Sequence, residues 1–193
     1  MAASSPCDSQ GGSDSAHFFM TRILETDRLN LRLLDEGDAE FYLRLVNQPG
    51  WLRYIGNRGV HMAEHARQAI AQGPLTMHAR HGFCLYLVER HDTLERLGIC
   101  GLIKRDTLPD VDIGFAFLEE HCGKGYAWES AKAVLEYGRA GLGLRRIVAI
   151  VSPENSISIS LIKKLGLHFE EQIKLTPEAS PVDLYGIEFD ARG

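Results

Sequence analysis

The sequence lacks long apolar runs, paired cysteines and the basic and apolar N-terminal regions of a signal peptide. No apolar stretch approaches the roughly eighteen residues of a membrane-spanning helix. The cysteines Cys7, Cys84, Cys100 and Cys122 are scattered with no Cys-x-x-Cys pair, which argues against a zinc knuckle or a disulfide framework. We therefore expect a cytoplasmic protein with reduced thiols, no membrane partner and no bound metal.

Positive charge is also in the minority. The chain has 21 Lys and Arg residues against 26 Asp and Glu residues, giving a formal net charge of −5. A nucleic-acid surface would need a basic stripe, so nucleic acid is not an expected partner. An acidic chain is compatible with a cationic or amine-bearing partner.

Aliphatic residues are nearly absent from positions 1–19, which are rich in Ser, Gly and Asp. This composition predicts a disordered leader. Over the remainder, the 45% hydrophobic content of the 193-residue chain is enough for one core, and no repeat suggests a second. A single domain is predicted over residues 20–193.

Hydrophobic periodicity and turn residues predict the element order β-α-α-β-β-β-α-β-α-β-β. A loop is predicted over residues 47–59. The predicted strands cover residues 29–33, 84–89, 97–104, 111–118, 146–151, 167–175 and 182–189. The first predicted helix begins after Asp38, and the other three cover residues 62–71, 125–140 and 155–165.

The stretch from Val111 to Tyr137 constrains function most strongly. Residues 111–118 alternate as a strand, Gly123 and Gly125 permit a tight turn, and helical spacing begins at Gly125. Such a unit aims free N–H groups and the positive end of a helix dipole at one point, which is a cradle for a diphosphate. An ordinary glycine-containing connection is the alternative.

Two nucleotide-binding motifs are excluded for this loop. A P-loop needs Gly-Lys-Ser/Thr, but Lys124 is followed by Gly125 and Tyr126. A Rossmann fingerprint needs a third small residue where Trp128 stands.

The loop from Cys122 to Ala127 resembles the acetyl-coenzyme A (acetyl-CoA) loop of the GCN5-related N-acetyltransferase (GNAT) family, Gln/Arg-x-x-Gly-x-Gly/Ala, with Cys122 in the place of Gln/Arg. Its GKGYA form is most similar to the RimJ/RimL-type branch, which acetylates ribosomal-protein N-termini. The resemblance covers residues 23–189 and implies the acyl-CoA N-acyltransferase fold. That is an α/β (α+β) fold with a mixed, mostly antiparallel sheet of about seven strands and about four flanking helices.

The resemblance also implies how acetyl-CoA would be held. The backbone near Phe117 and Leu118 would pair with the pantetheine arm, and Asn155 would anchor it. The residues expected around the diphosphate are Gly123, Lys124, Gly125, Tyr126 and Ala127.

A second segment, from Ser152 to Glu170, resembles the family pattern Glu-Asn-x-x-Ser followed by Lys-x-Gly-Phe. In this resemblance Ser158 would protonate the leaving thiolate, because the tyrosine that other branches use is replaced by Ile162. Helical spacing puts Ser158 within an apolar arc that includes Ile157. A small packing residue is the alternative reading of Ser158.

Asp112 matches a position where some family members place a glutamate base. A surface ion pair is the alternative for Asp112, and water can also serve as the base. Glu89 and Asp183 are weaker base candidates.

The predicted loop over residues 47–59 would shape the acceptor pocket in this family. Trp51, Arg53, Tyr54 and Arg58 are its candidate substrate contacts, unless the aromatics only pack the loop. The expected reaction is direct transfer of acetyl to a primary amine in a ternary complex, the acceptor being a protein N-terminus or a small molecule. A CoA-binding sensor without turnover is the alternative, and a homodimer is the base-rate expectation.

One competing motif is His61-Met62-Ala63-Glu64-His65, which fits the inverted zincin pattern. It would make the protein a zinc metallopeptidase. No third ligand follows it, so a solvated helix face is the favoured reading.

Overall fold

The computed structural model describes residues 22–190, so the predicted leader lies outside the described residues. Eight strands form one sheet in the spatial order β1-β2-β3-β4-β5-β6-β8-β7. Only β5 and β6 pair in parallel among these strands. The strands are β1 (Arg22–Glu25), β2 (Leu29–Arg32), β3 (Leu85–Arg90), β4 (Arg96–Lys104), β5 (Val111–Phe117), β6 (Arg146–Val151), β7 (His168–Ile173) and β8 (Val182–Glu188).

The helices lie on both faces of this sheet, which confirms the predicted mixed α/β class with a mostly antiparallel sheet. They are α1 (Ala39–Val46), α2 (Pro49–Tyr54), α3 (Ala63–Ile70), α4 (Thr76–His81), α5 (Tyr126–Glu136) and α6 (Ser156–Lys164). The eighth strand is β1, which the sequence pattern did not predict.

Two helical regions differ from the sequence prediction. The predicted loop over residues 47–59 contains α2, which Pro49 starts at a position where its missing N–H costs nothing. The predicted helix over residues 62–71 continues through a π-helical turn, Ala71–Leu75, into α4. The wider turn accommodates Pro74, which would otherwise end the helix.

Alternation along the strands divides the core into two layers. Cys100 and Ile113 pack with Val134 of α5 on one face. Leu87 and Ile99 pack with α1 and α3 on the other face. The two layers pack the central strands between helices.

The parallel pairing of β5 with β6 is short, and the two strands separate beyond it. β5 and β6 pair only at Val111 with Ile147 and at Asp112 with Val148. Beyond those two positions β5 continues to Phe117 paired only with β4. The second half of β5 therefore has a free edge that faces a gap.

Candidate active site

A cleft of about 520 Å³ follows the free edge of β5 and ends at the glycine loop. A smaller cavity of about 270 Å³ adjoins it and reaches towards β6. We call these the large cleft and the small cavity. They share the lining residues Trp51, Tyr54, Ile55, Phe115, Ala116, Asn155 and Ser158.

The glycine loop has the backbone that the sequence predicts. Gly123 and Gly125 have φ angles of +75° and +84°, in the left-handed region that favours glycine. α5 begins immediately afterwards without a side-chain cap, and its first helical hydrogen bond runs from the Glu129 N–H to the Gly125 carbonyl at 3.1 Å. The N–H groups of the first three residues of α5 are therefore available to an anion, and the loop fits a diphosphate.

A residue that sequence reasoning missed holds this loop in place. The Arg28 Nε donates to Glu129 Oε2 at 2.6 Å, and its Nη1 donates to the Lys124 carbonyl at 3.2 Å. The Arg28 guanidinium also lies 4.8 Å from the centroid of the Tyr126 ring. Arg28 comes from the turn between β1 and β2, so no local pattern around the glycines could have indicated it.

Glu129 completes this clamp from the first turn of α5. The Thr26 hydroxyl donates to its Oε1 at 2.6 Å. Burial acts to raise the pKa of Glu129, but hydrogen bonds from Thr26 and Arg28 outweigh it and lower that pKa. The ionised carboxylate ties the turn to the helix that forms the cradle.

The free edge of β5 presents alternate N–H groups to the gap. The Leu118 N–H donates to the Leu97 carbonyl on the β4 side at 2.9 Å. Because N–H direction alternates along a strand, the N–H groups of Phe115 and Phe117 face the gap instead. Leu118 itself lies outside the lining of the large cleft, with its side chain 2% exposed. Its carbonyl accepts from the His121 N–H at 2.8 Å, so both of its peptide groups already have partners in the fold.

The first turn of α6 carries two of the predicted site residues. The Asn155 side chain caps the helix by accepting from the Ser158 N–H at 3.1 Å. Both residues lie where the large cleft meets the small cavity. Ile157, placed in the buried arc by its spacing, is 83% exposed, which corrects that expectation. The turn lies at the mouth of the cleft, and Ile162 is the residue of α6 that is fully buried.

Asp112 lines the small cavity and is 1% exposed. The Arg105 Nε donates to its Oδ2 at 2.6 Å, while among the described residues its buried Oδ1 receives no hydrogen bond of normal geometry. Burial raises the pKa of Asp112 to about 6, against the opposing effect of Arg105. The expected alternative was a surface ion pair. The ion pair exists, but its carboxylate is buried. A carboxyl group with a raised pKa therefore lies beside the cavity.

The two weaker base candidates line neither the large cleft nor the small cavity. Glu89 is 5% exposed and accepts from the Arg32 Nε at 3.0 Å, on another part of the sheet. Asp183 accepts from Gln172 Nε2 at 3.1 Å.

The residues predicted to contact substrate separate into two groups. Trp51 and Tyr54 line both the cleft and the cavity, and Arg58 lines the cavity. The buried Trp51 Nε1 has no hydrogen-bond partner among the described residues. Arg53 lines neither space, because its guanidinium stacks over the Tyr54 ring and extends to a Glu154 oxygen at 3.4 Å.

Gln48 and His121 are further lining residues that sequence reasoning missed. Gln48 Oε1 accepts from the Glu119 N–H at 2.7 Å and so ties the start of α2 to the end of β5. His121 is 8% exposed, and its Nε2 lies 3.6 Å from Glu95 Oε1. Neither residue belongs to a motif, so only the packing could identify it.

The zincin-like motif lies at the exposed start of α3. His61, Glu64 and His65 are all exposed, and Glu64 accepts from Arg67 Nη1 at 3.1 Å. Residues 22–190 contain no cluster of three or more His, Cys, Asp or Glu side chains that could hold a metal ion. In the same part of the chain, no helix combines the length and apolar character needed to cross a membrane.

The family model of the acetyltransferase (GNAT) domain matches residues 28–168 of the sequence. The chain belongs to the GNAT acetyltransferase family. It is therefore an N-acetyltransferase with the acyl-CoA N-acyltransferase fold, and acetyl-CoA is its acetyl donor.

Relatives and solved structures agree with this assignment. The chain is 30% identical to the uncharacterized protein YkkB of Bacillus subtilis over 154 residues, covering 78% of this chain and 88% of that protein. It is 33% identical to the uncharacterized N-acetyltransferase YoaA of Bacillus subtilis over 152 residues, covering 78% and 85%.

Two solved structures share the fold. An acetyltransferase from Agrobacterium tumefaciens superposes with a TM-score of 0.74 at 24% identity, covering 92% of this chain and 100% of that one. The ribosomal-protein alpha-N acetyltransferase RimL in complex with coenzyme A superposes with a TM-score of 0.74 at 22% identity, covering 89% and 100%.

Proposed function

We propose that this GNAT enzyme transfers acetyl from acetyl-CoA to a primary amine by direct attack in a ternary complex. The observation that carries the proposal is the junction of the two spaces at Ser158. One space ends at a diphosphate cradle and the other at a buried carboxyl group. Two substrates entering from these two ends would meet beside Ser158.

In this proposal the glycine loop binds the donor through main-chain groups. The free N–H groups at the start of α5 hold the diphosphate, with Gly123 and Gly125 letting the backbone approach it. The N–H groups of Phe115 and Phe117 pair with the pantetheine arm and polarise the thioester carbonyl. Asn155 keeps the arm beside α6.

The proton transfers are assigned to two side chains at the junction and in the cavity. The Asp112 carboxylate accepts a proton from the incoming ammonium group, which frees the nitrogen lone pair to attack the carbonyl carbon. The new C–N bond forms as the C–S bond breaks, Ser158 donates a proton to the leaving sulfur, and the second proton released by the attacking nitrogen returns to Ser158. A carboxyl group with a pKa of about 6 is matched to proton acceptance near neutral pH.

The acceptor is an amine with a small apolar group beside it. The small cavity has aliphatic walls, including Leu85, Ile99 and Ile113, around the Asp112 carboxyl group. Its volume of about 270 Å³ suits either a small-molecule amine or the first residue of a protein N-terminus. The proposal also includes a cytoplasmic location, a homodimer, and no dependence on metal, nucleic acid or membrane.

The test combines binding and turnover on the full chain. Calorimetry with coenzyme A should give a binding isotherm, and thiol release from acetyl-CoA should rise with amines from a panel of small molecules and short peptides. Mass spectrometry then identifies the acetylated product, and chelator treatment should leave the rate unchanged. Binding without thiol release across the whole panel would contradict the proposed transfer and favour a sensor.

A further inference from the structure

Trp128 is flanked by two lysines from different helices. The Lys132 Nζ, one turn further along α5, lies 5.1 Å from the centroid of a Trp128 ring. The Lys164 Nζ, at the end of α6, lies 5.0 Å from it. Trp128 and Lys164 line the large cleft next to the glycine loop. We call Trp128, Lys132 and Lys164 the lysine–tryptophan cluster.

The fold alone does not account for this cluster. An exposed cation–π contact contributes little to folding stability. Lys164 also complements the C-terminal dipole of α6, but Lys132 has no such role. Although the chain carries more acidic than basic residues, no ion pair joins either ammonium group to a carboxylate between residues 22 and 190. Two cations that converge on one ring without a carboxylate create a local positive charge that favours an external anion.

The position of the cluster indicates which anion. Trp128 is the third residue of α5, so it lies about 3 Å along the helix axis from Tyr126, where the diphosphate cradle begins. Coenzyme A carries a third phosphate on the 3′ oxygen of the ribose that adjoins its diphosphate. We propose that the lysine–tryptophan cluster binds this 3′-phosphate. The inference rests on the proposed donor binding and adds a preference for coenzyme A over 3′-dephospho-coenzyme A.

The test measures the dissociation constants of both carriers by calorimetry on the full-length protein at low salt. A charge-assisted hydrogen bond from each lysine should make binding of coenzyme A about 30-fold tighter than that of the dephospho form. Lys132→Ala and Lys164→Ala should each reduce this ratio about fivefold, and the double variant should bring it near one. Binding of the dephospho form should not change in any of them. Lys163→Ala is the matched control, because Lys163 is an exposed neighbour outside the cleft lining.

The outcomes separate this inference from the proposed function. Equal binding of both carriers by the unmodified protein would overturn the inference and leave donor binding intact. Binding of neither carrier would overturn the proposed donor binding and the inference together. A preference that stays at about 30-fold in both single lysine variants would assign the 3′-phosphate to other residues. If the double variant does not fold, the single variants and a steeper salt dependence for coenzyme A than for the dephospho form decide the question.

Discussion

The large cleft and the small cavity meet at Ser158, but they are built in different ways. One continuous stretch, residues 115–128, supplies nearly half of the residues that line the cleft, and the groups proposed to bind the donor there are main-chain N–H groups. The cavity instead collects side chains from distant strands, such as Leu85, Ile99, Asp112 and Val182. A wall made of backbone depends on local conformation, whereas a wall made of side chains depends on how the whole sheet is assembled.

This difference predicts different responses to mutation. A change of backbone at the glycine loop should abolish donor binding, because several donors are lost together. A change of one side chain in the cavity should alter the acceptor or the proton transfer and leave donor binding intact. The five predictions below follow from this contrast, from the largest expected effect to the smallest.

Gly125→Val should have the largest effect. A Cβ at this position would lie 3.3 Å from an Arg28 nitrogen, and the φ of +84° is strained for a β-branched residue. Losing several charge-assisted donors should weaken coenzyme A binding about 1,000-fold. Calorimetry measures this loss. Gly73→Ala, where an added Cβ meets nothing within 4 Å, is the matched control and should bind normally.

Ser158→Ala tests the junction. If Ser158 protonates the leaving sulfur, kcat should fall about 100-fold while the dissociation constant of coenzyme A stays the same. Steady-state kinetics and calorimetry together measure the two quantities. Ser156→Ala changes an exposed serine in the same turn and should leave both unchanged. An unaltered kcat in Ser158→Ala would show that Ser158 is a packing residue and not the proton donor.

Asp112→Asn tests the buried carboxyl group through pH. In the unmodified enzyme kcat/KM should rise as pH passes about 6, where Asp112 ionises. The variant should not show this pH dependence. Above about pH 6 its kcat/KM should be about tenfold lower than that of the unmodified enzyme, since water is a poorer base. A pH profile that still rises near 6 in the variant would assign the titration to another group.

The same residue gives a stability prediction with a defined sign. The folded-state pKa of about 6 is above the ordinary value of 3.8, so the folded protein binds the extra proton between these pH values. The contribution of Asp112 to stability is therefore present at low pH and is lost as pH rises through about 6. Subtracting the free energy of unfolding of the unmodified protein from that of Asp112→Asn gives a difference at each pH. This difference should be on the order of 3 kcal/mol larger at pH 7 than at pH 4. Denaturant unfolding at both pH values measures the gain.

Arg58→Ala should have the smallest effect, confined to the acceptor. Arg58 is an exposed residue at the rim of the small cavity, so its loss should raise the KM of the amine about fivefold without changing coenzyme A affinity. Arg53→Ala is a useful comparison, because Arg53 lines neither space. A larger effect from Arg53 than from Arg58 would show that the acceptor enters from the other side of α2.

The sequence predicted the conformation of the glycine loop better than that of the residues around it. Gly123 and Gly125 adopt the expected backbone, and Asn155 caps α6 as its position indicated. The spacing of Ile157 predicted a buried side chain, yet the residue lies at the mouth of the cleft. Helical periodicity identifies one face of a helix, but it does not say whether that face lies over the sheet or over an opening.

The backbone of the proposed donor-binding stretch was determined by the sequence alone, because glycine φ angles, strand alternation and helix caps are set by interactions among residues close together in the chain. The tertiary structure decided which of these features form a site. It separates β5 from β6 after two paired positions, brings Arg28 from the first turn against the glycine loop, and buries Asp112 beside the cavity. These features depend on contacts between residues far apart in sequence, and a short motif does not encode such contacts.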